Sequence, residues 1–243
     1  GYGEIVLTGI EISSYGPDVG SSFPELVGRV CRAAYPARVR LGSLEPSVID
    51  ESMADSLSGI DNLCPHFHLS MQSGSRGVLE RMRRKYTPDE YMAVVGRLRR
   101  RFDDPAITTD MIVGFPGETE DEFLESLSFI RRVGFAAMHI FPYSSRPGTR
   151  AADMPGHVAN AEKERRAHIA AEVACEMRRE YLERQVGRTL SVLFESERDG
   201  LWRGHSENYA EVCVSSPASI HAKTLPVRIT GLSGDSLMGE IDG

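Results

Sequence analysis

The chain has 243 residues, of which 41% are hydrophobic and 26% charged, and a net charge of −7. That balance describes a globular chain of one or two domains, excludes a disordered or collagen-like one, and disfavours a general polyanion binder. No stretch approaches about 18 uninterrupted apolar residues and the first residues lack a basic-then-apolar pattern, so a cytoplasmic protein with no membrane partner is expected.

Strand-like runs at residues 4–8, 38–44, 66–72, 106–113 and 135–141 alternate with helix-like stretches at 23–34, 47–58, 77–84, 88–102 and 119–132. This alternation predicts an α/β fold of parallel βα units. Ser47 and Thr119 stand where N-caps are expected, Pro88 suits a first helical turn, and Glu122 completes a capping box with Thr119. In HFHLSMQ, residues 66–72, one face carries His66, His68, Ser70 and Gln72, and the other Phe67, Leu69 and Met71. A sheet covered by helices on both faces would be apolar on both. A polar face predicts instead a barrel lumen with a site in it, to which Asp110 and His139 of later strands also belong.

The strand C-termini, where such folds place their chemistry, run into Thr8-Gly9, Ser43 to Pro46, Gln72 to Ser75, Gly114 to Thr119 and Pro142 to Ser145. These loops suit a polar small molecule. No GxGxxG or GxxxxGK[ST] loop and no nucleophile elbow is present, which disfavours dinucleotides, NTPs and covalent hydrolysis. A long helix is predicted at 158–184. Five short β runs follow within about 55 residues, the pattern of a small barrel related in plan to the OB-fold. The domain division is placed at 1–185 and 186–243.

Cys31, Cys64, Cys175 and Cys213 are scattered, with no CxxC or CxxxCxxC spacing, so they are expected as reduced thiols that hold no metal. Residues 76–101 carry nine cations against three anions, either a basic patch or a solvated helical face. Residues 187–243 carry five cations against eight anions, too few for strong sequence-independent RNA binding by that segment alone.

The chain resembles the radical S-adenosylmethionine (SAM) methylthiotransferases that modify tRNA. The resemblance rests on EIVLTGIEISSYG, RVRLGSLEP, HFHLSMQSGSRGVLERMRRKYT, ITTDMIVGFPGETEDEF, HIFPYSSRPGTRAADM and GHSENYAEV, in that order. LTGI, SLEP and RMRRKYT look most like the bacterial branch acting on N6-threonylcarbamoyladenosine beside the anticodon; sister branches act on isopentenyladenosine in tRNA or on a ribosomal protein. The resemblance implies a partial TIM-like (β/α) radical SAM barrel lacking its first strand, followed by an all-β TRAM domain that contacts the anticodon stem-loop. It implies SAM as cofactor and two 4Fe–4S clusters in the full-length parent, which cleave SAM to a hydrogen-abstracting radical and deliver a methylated sulfur to carbon 2 of the adenine.

Carried over by position, the resemblance implies cofactor contacts from Thr8, Gly9, Ser43, Glu45, Gln72, Ser73, Arg84, Val113, Gly114, Phe115 and Pro116. Arg84 would take the SAM carboxylate in a forked pair and Glu45 would accept from hydroxyls. Asp110, His139 and Tyr143 would face substrate, and Trp202, Arg203, His205 and Tyr209 would meet RNA, although Trp202 alternatively fills the small barrel's core. The family's CxxxCxxC triad is absent from these residues, so the chain by itself is expected to be an inactive part of a longer protein. Two other readings are a non-catalytic RNA-binding module and an ordinary TIM-barrel hydrolase or aldolase. The latter lacks a strand lysine, since Lys85, Lys163 and Lys223 all fall outside the predicted strands. Residues 4–8, as an unpaired edge, are expected to support a dimer. Light scattering at rising concentration should then show a growing mass, and a constant monomer mass would refute it.

Overall fold

Amphipathic helices with strong N-caps alternate with short parallel strands throughout the first two-thirds of the chain. The computed structural model describes residues 1–242. In chain order it contains β1 (Glu4–Leu7), α1 (Phe23–Ala34), β2 (Arg38–Leu41), α2 (Glu51–Ser58), β3 (His66–His68), α3 (Arg76–Arg81), α4 (Pro88–Arg101), β4 (Ala106–Val113), α5 (Glu120–Val133), β5 (Ala137–Pro142) and α6 (Asn160–Glu183). Then come β6 (Thr189–Arg198), β7 (Leu201–Ser206), β8 (Glu211–Val214), β9 (Thr224–Ser233) and β10 (Ser236–Ile241). Capping boxes open α1 at Ser22, α4 at Thr87 and α5 at Thr119, each with a glutamate reaching back from the third helical position. Ser47 does not cap α2. A short 3-10 turn covers Pro46–Val48, and the Asp50 carboxylate accepts from Met53 N instead.

The first five strands are parallel. β1 pairs with β2, β3 with β4 and β4 with β5, and a bridge from Leu44 to Leu69 joins the two groups into one arc. Helical residues such as Val27, Leu57, Tyr91 and Phe123 pack with Val39, Leu41, Phe67 and Leu69 in a single core on the outer face. β1 is an edge, with Val6 55% exposed. Regular pairing of β3 stops at His68, four residues short of the predicted strand. Beyond it the Thr109 hydroxyl intrudes, taking Met71 N at 3.0 Å and donating to Leu69 O at 2.5 Å, while Tyr86 donates to the carbonyls of Ser70 and Met71. The segment still tracks β4, since Gln72 N donates to Asp110 O and Ile112 N to Gln72 O.

The cationic stretch at 76–101 is largely neutralised by its neighbours. Arg97, Arg100 and Arg101 of α4 lace onto Glu51 and Asp55 of α2, and Arg76 pairs with Asp89. It is a solvated helical face, not one continuous basic patch. α6 lies along β5, and β6 to β10 close into a barrel in the order β10-β8-β7-β6-β9 around Val192, Phe194, Val212, Val227 and Leu237.

The small barrel is fixed across the N-terminal ends of the parallel strands by a buried charge cluster. Glu4 stands opposite Arg38 in register, and Arg40, two residues on, shares that face. Arg38 Nε and Arg40 Nε donate to the Glu4 carboxylate at 2.5 and 2.7 Å. Their remaining N–H groups donate to carbonyls of the small barrel: Arg38 to Ser191 and His205 at 2.6 and 2.8 Å, Arg40 to Ser206 and Glu207 at 3.1 and 2.9 Å. Burial would raise the Glu4 pKa, but the hydrogen bonds and charges of Arg40 and Arg38 outweigh it and hold it below the ordinary 4.5.

Removing the carboxylate leaves two desolvated guanidiniums without their anion, so Glu4→Gln should lower stability by about 3–5 kcal/mol in urea unfolding. With the wild-type carboxyl depressed, its contribution is complete above pH 4.5 and is lost as pH falls through the folded-state value. Glu4→Gln should remove that part of the acid sensitivity; an unchanged midpoint would show that the cluster does not join the two units.

Candidate cofactor and substrate site

Three cavities of the strand arc, two on its C-terminal rim and one deeper in the lumen, are lined by predicted site residues. At the C-terminal rim a cavity of about 450 Å³ is lined by Ile10, Glu11, Ser43, Glu45, Gln72 and Arg84 among others. Burial raises Glu45 above the ordinary carboxylate value, against the lowering pull of Arg84 and Lys85. Arg84 Nη1 stands 3.9 Å from Glu45, close enough to balance charge and far enough to leave the guanidinium fork free for another acceptor. Gln72 and Arg83, which both line this cavity, hold left-handed backbone at φ 65 and 58. Such conformations cost about 1–3 kcal/mol each in non-glycine residues and concentrate at functional sites.

Next to it a second rim cavity of about 750 Å³ runs between α3, β4, the end of β5 and the segment 150–155. Phe115 and Tyr143 meet edge to face there at 5.3 Å. The loop carrying Phe115 is pinned from below. The wholly buried Glu118 carboxylate accepts from Gly114 N at 2.5 Å and from Arg166 Nη1 at 2.8 Å, and Arg166 also reaches Glu162 and Glu120. Lys163 of α6 donates to Tyr143 O at 3.0 Å. The helix therefore holds both halves of this rim.

Deeper in the lumen, a cavity of about 770 Å³ is walled by Arg40, His68, Asp110 and His139 and floored by the small barrel's Glu195, His205 and Tyr209. His66 Nε2 and His68 Nδ1 both lie 3.1 Å from Thr108 Oγ1, and His68 Nε2 lies 3.6 Å from Asp110. Tyr209 sits under the Arg40 guanidinium, stacks on His205 at 4.9 Å and tilts against His66 at 5.1 Å.

The structure divides the residues singled out by sequence. Ser43, Glu45, Gln72 and Arg84 share one cavity. Thr8 and Gly9 lie exposed just beyond β1, and Ile10 and Glu11 line the cavity in their place. Ser73 is buried against Ser126, away from the rim. Val113 has a fully buried side chain and a carbonyl that accepts from Tyr143 N, while Gly114 N is taken by Glu118 and Pro116 is buried. Ile112 and Phe115 are what this segment presents to the rim cavity. Asp110 and His139 meet in the deep cavity, whereas Tyr143 stands on the rim.

The four residues of the small barrel do not form one surface. Along β7, side chains alternate, so Trp202 enters the barrel core at 7% exposure while Arg203 and His205 point outward. Core filling is therefore the role of Trp202. Arg203 pairs with Glu211 at 3.2 Å, and His205 and Tyr209 face the lumen. Sequence reading missed Glu4, Arg38 and Arg40, and also Glu118 with Arg166. The signal was available for the first set: charges alternating with apolar residues in a strand, RVRL, need partners on the face they share.

Cys31, Cys64 and Cys213 are buried, Cys175 is exposed on α6, and among the described residues no group of three His, Cys, Asp or Glu side chains could hold a metal ion. No described helix is long and apolar enough to cross a membrane.

A parallel β/α arc with a polar lumen defines a TIM-like α/β protein, and in such folds chemistry is placed at the strand C-termini. The family model described as the Radical SAM superfamily matches residues 1–130, more than half of the chain, and the chain belongs to that superfamily. A threonylcarbamoyladenosine tRNA methylthiotransferase, MtaB of Thermotoga maritima, is 40% identical over 212 residues, covering 87% of this chain and 49% of its own length. A tRNA-2-methylthio-N(6)-dimethylallyladenosine synthase of Oleidesulfovibrio alaskensis is 37% identical over 266 residues, covering 99% of this chain and 57% of its own length. The chain thus spans about half the length of the curated relatives it matches. Among solved structures, the radical SAM enzyme coproporphyrinogen III oxidase (HemN) of Escherichia coli shares the fold, with a TM-score of 0.53 at 15% identity over 64% of this chain and 37% of that one.

Burial, with help from Arg40 and His68, pushes His66 down to about 3 from the ordinary 6.5. The ring is neutral in the folded chain and charges on unfolding, so the unfolded state binds more protons between those values and stability should fall as pH drops from 6.5 towards 3. Its ring resonances should not titrate in NMR down to about pH 4. A midpoint near the ordinary value would place His66 in solvent.

Proposed function

We propose that this chain is the SAM-binding and substrate-facing part of a cytoplasmic tRNA methylthiotransferase. The reaction is the addition of a methylthio group to carbon 2 of N6-threonylcarbamoyladenosine, next to the anticodon. The observation that carries the SAM-binding half of the reading is the rim constellation of Ser43, Glu45, Gln72 and Arg84, with Gln72 and Arg83 held in strained backbone beside it. The likeness to MtaB supports the reaction and the nucleotide. The dimethylallyladenosine relative supports a second reading of the substituent on the same base.

The residues present fit SAM. Glu45 accepts hydrogen bonds from ribose hydroxyls, Arg84 takes the carboxylate through its two-pronged fork, and Phe115 with Ile112 gives the adenine an apolar face. SAM beside a reduced iron–sulfur cluster supplies the hydrogen-abstracting chemistry of this class. The cluster finds no thiolate set in this chain. Without closely spaced thiolates to hold a cluster, the chain alone is inactive in this reading. The lumen residues Asp110, His68 and His139 hold polar groups against the deeper part of the substrate.

Calorimetry with S-adenosylhomocysteine tests this reading without any cluster. The wild-type chain should bind it, and Arg84→Ala and Glu45→Gln should each weaken binding about tenfold through loss of a charge-assisted contact. The same preparation treated with iron and sulfide should develop no thiolate-to-iron absorbance. No binding of the analogue by a folded chain would refute the rim assignment, and a stoichiometric cluster would refute the inactivity of the chain.

A further inference from the structure

Polar side chains line up across the lumen face of β3 and β4. His66 and His68, two residues apart on β3, share a face, and Thr108 of β4, in register with His68, puts its hydroxyl between their rings. Thr108 Oγ1 is 3.1 Å from His66 Nε2 and 3.1 Å from His68 Nδ1. A hydroxyl has a single proton, so it donates to one ring and must accept from the other. The chain of bonds therefore has a direction, and its two ends decide which.

At one end, His66 Nδ1 is buried and has no hydrogen-bond partner among the described residues. A proton there would be an orphaned buried donor, whereas a bare lone pair is the milder defect. At the other end, His68 Nε2 faces Asp110 Oδ2 at 3.6 Å. A carboxylate at that distance attracts an N–H and repels a lone pair. Both ends give the same answer: His66 donates through Nε2 to Thr108, Thr108 donates to His68 Nδ1, and His68 turns its Nε2–H toward Asp110. Each ring carries one proton only, since burial lowers both from the ordinary 6.5, His66 to about 3. Run the other way, the chain would orphan a proton on His66 and set a lone pair against the Asp110 carboxylate.

We propose that His66 and Thr108 are positioning residues, which fix the His68 tautomer and through it orient Asp110 as the acceptor for an N–H donor of the substrate. The identity of that donor rests on the function proposed above: it is the N6–H of a monosubstituted adenosine. With Oδ2 turned to His68, the other carboxylate oxygen is left for a ligand in the 770 Å³ lumen cavity, where the Asp110 side chain is 35% exposed and stands in register with His139. The buried members of the chain touch no ligand; they act through the one member that a ligand reaches. Threonylcarbamoyl and dimethylallyl adenosines both carry this N–H, so the contact reads the monosubstituted amine and leaves the substituent to other parts of the site. Replacing the N–H by oxygen sets an acceptor against a carboxylate, a mismatch that a hydrogen-bonding site rejects strongly.

The test uses the whole 243-residue chain with its histidine ring nitrogens isotopically labelled, since long-range proton–nitrogen NMR separates a protonated ring nitrogen from a bare one. His66 and His68 should both carry their proton on Nε2; a proton on Nδ1 of either ring reverses the chain and overturns the proposal. Thr108→Val, which keeps the shape and removes the hydroxyl, should populate the second tautomer of His68, and Thr108→Ser should restore the wild-type spectrum. An unchanged His68 in Thr108→Val overturns the positioning role. Binding is then compared for N6-methyladenosine and 6-methoxypurine riboside, which differ in N–H against O. The first should bind at least about tenfold more tightly to the wild type. Asp110→Asn and Thr108→Val should each remove that preference and Thr108→Ser should keep it, whereas a merely structural defect would weaken both nucleosides alike and leave their ratio unchanged. Equal binding of the two nucleosides by the wild type, or binding of neither, overturns the role toward substrate, and these wild-type readings need no variant to fold. S-adenosylhomocysteine binding on the same sample is read separately: its absence refutes the cofactor reading and leaves the tautomers and the nucleoside ratio standing.

Discussion

The seating of the small barrel on the strand arc depends on the desolvated charges of Glu4, Arg38 and Arg40 at the start of the arc. A buried guanidinium is tolerated only when its donors are used, and here one carboxylate and four carbonyl oxygens of the small barrel use them. The requirement couples two units that share little else in sequence character. It places the small barrel under the arc, turns His205 and Tyr209 into the lumen, and leaves the strand C-termini as the open end. The cluster lends weight to specificity of assembly more than to net stability, because the desolvation of three charged groups offsets much of their attraction.

The open end is then free to carry chemistry. Its two cavities share Arg83 and Arg84. One balances Glu45 against Arg84 and offers both donors and acceptors, as a zwitterionic nucleoside such as SAM requires. The other is walled by Ile112, Phe115 and Tyr143, with Phe115 and Tyr143 edge to face. Between them stands the strained turn at Arg83, which lines both. Glu118 and Arg166 hold the intervening loop from α6, so the rim is positioned by a helix packed behind it.

Much of this architecture was legible because it depends on local rules. The period of apolar residues, the capping box at Thr119 and the polar alternation of HFHLSMQ each act over a few residues and act the same way in the folded chain. Where a distant group intervenes, local reading fails. The Thr109 hydroxyl and the Tyr86 phenol take the backbone partners that would have extended β3, and nothing near residues 69–72 signals it. Trp202 was readable either as a stacking platform or as core, and only the closure of the barrel, which places even positions of β7 inside, separates the two.

Sequence by itself determined the succession of elements, the polar face of the lumen and the resemblance to radical SAM methylthiotransferases. It also showed that no closely spaced cysteine set lies within these residues. Tertiary structure alone decided which charges meet. The nine cations of residues 76–101 look alike in a string of letters, yet Arg97, Arg100 and Arg101 are matched by α2 while Arg83 faces the rim unmatched. The physical reason is range: periodicity and capping are set by neighbours three or four positions away, whereas the worth of a charge is set by burial and by whichever partner the fold brings within about 4 Å.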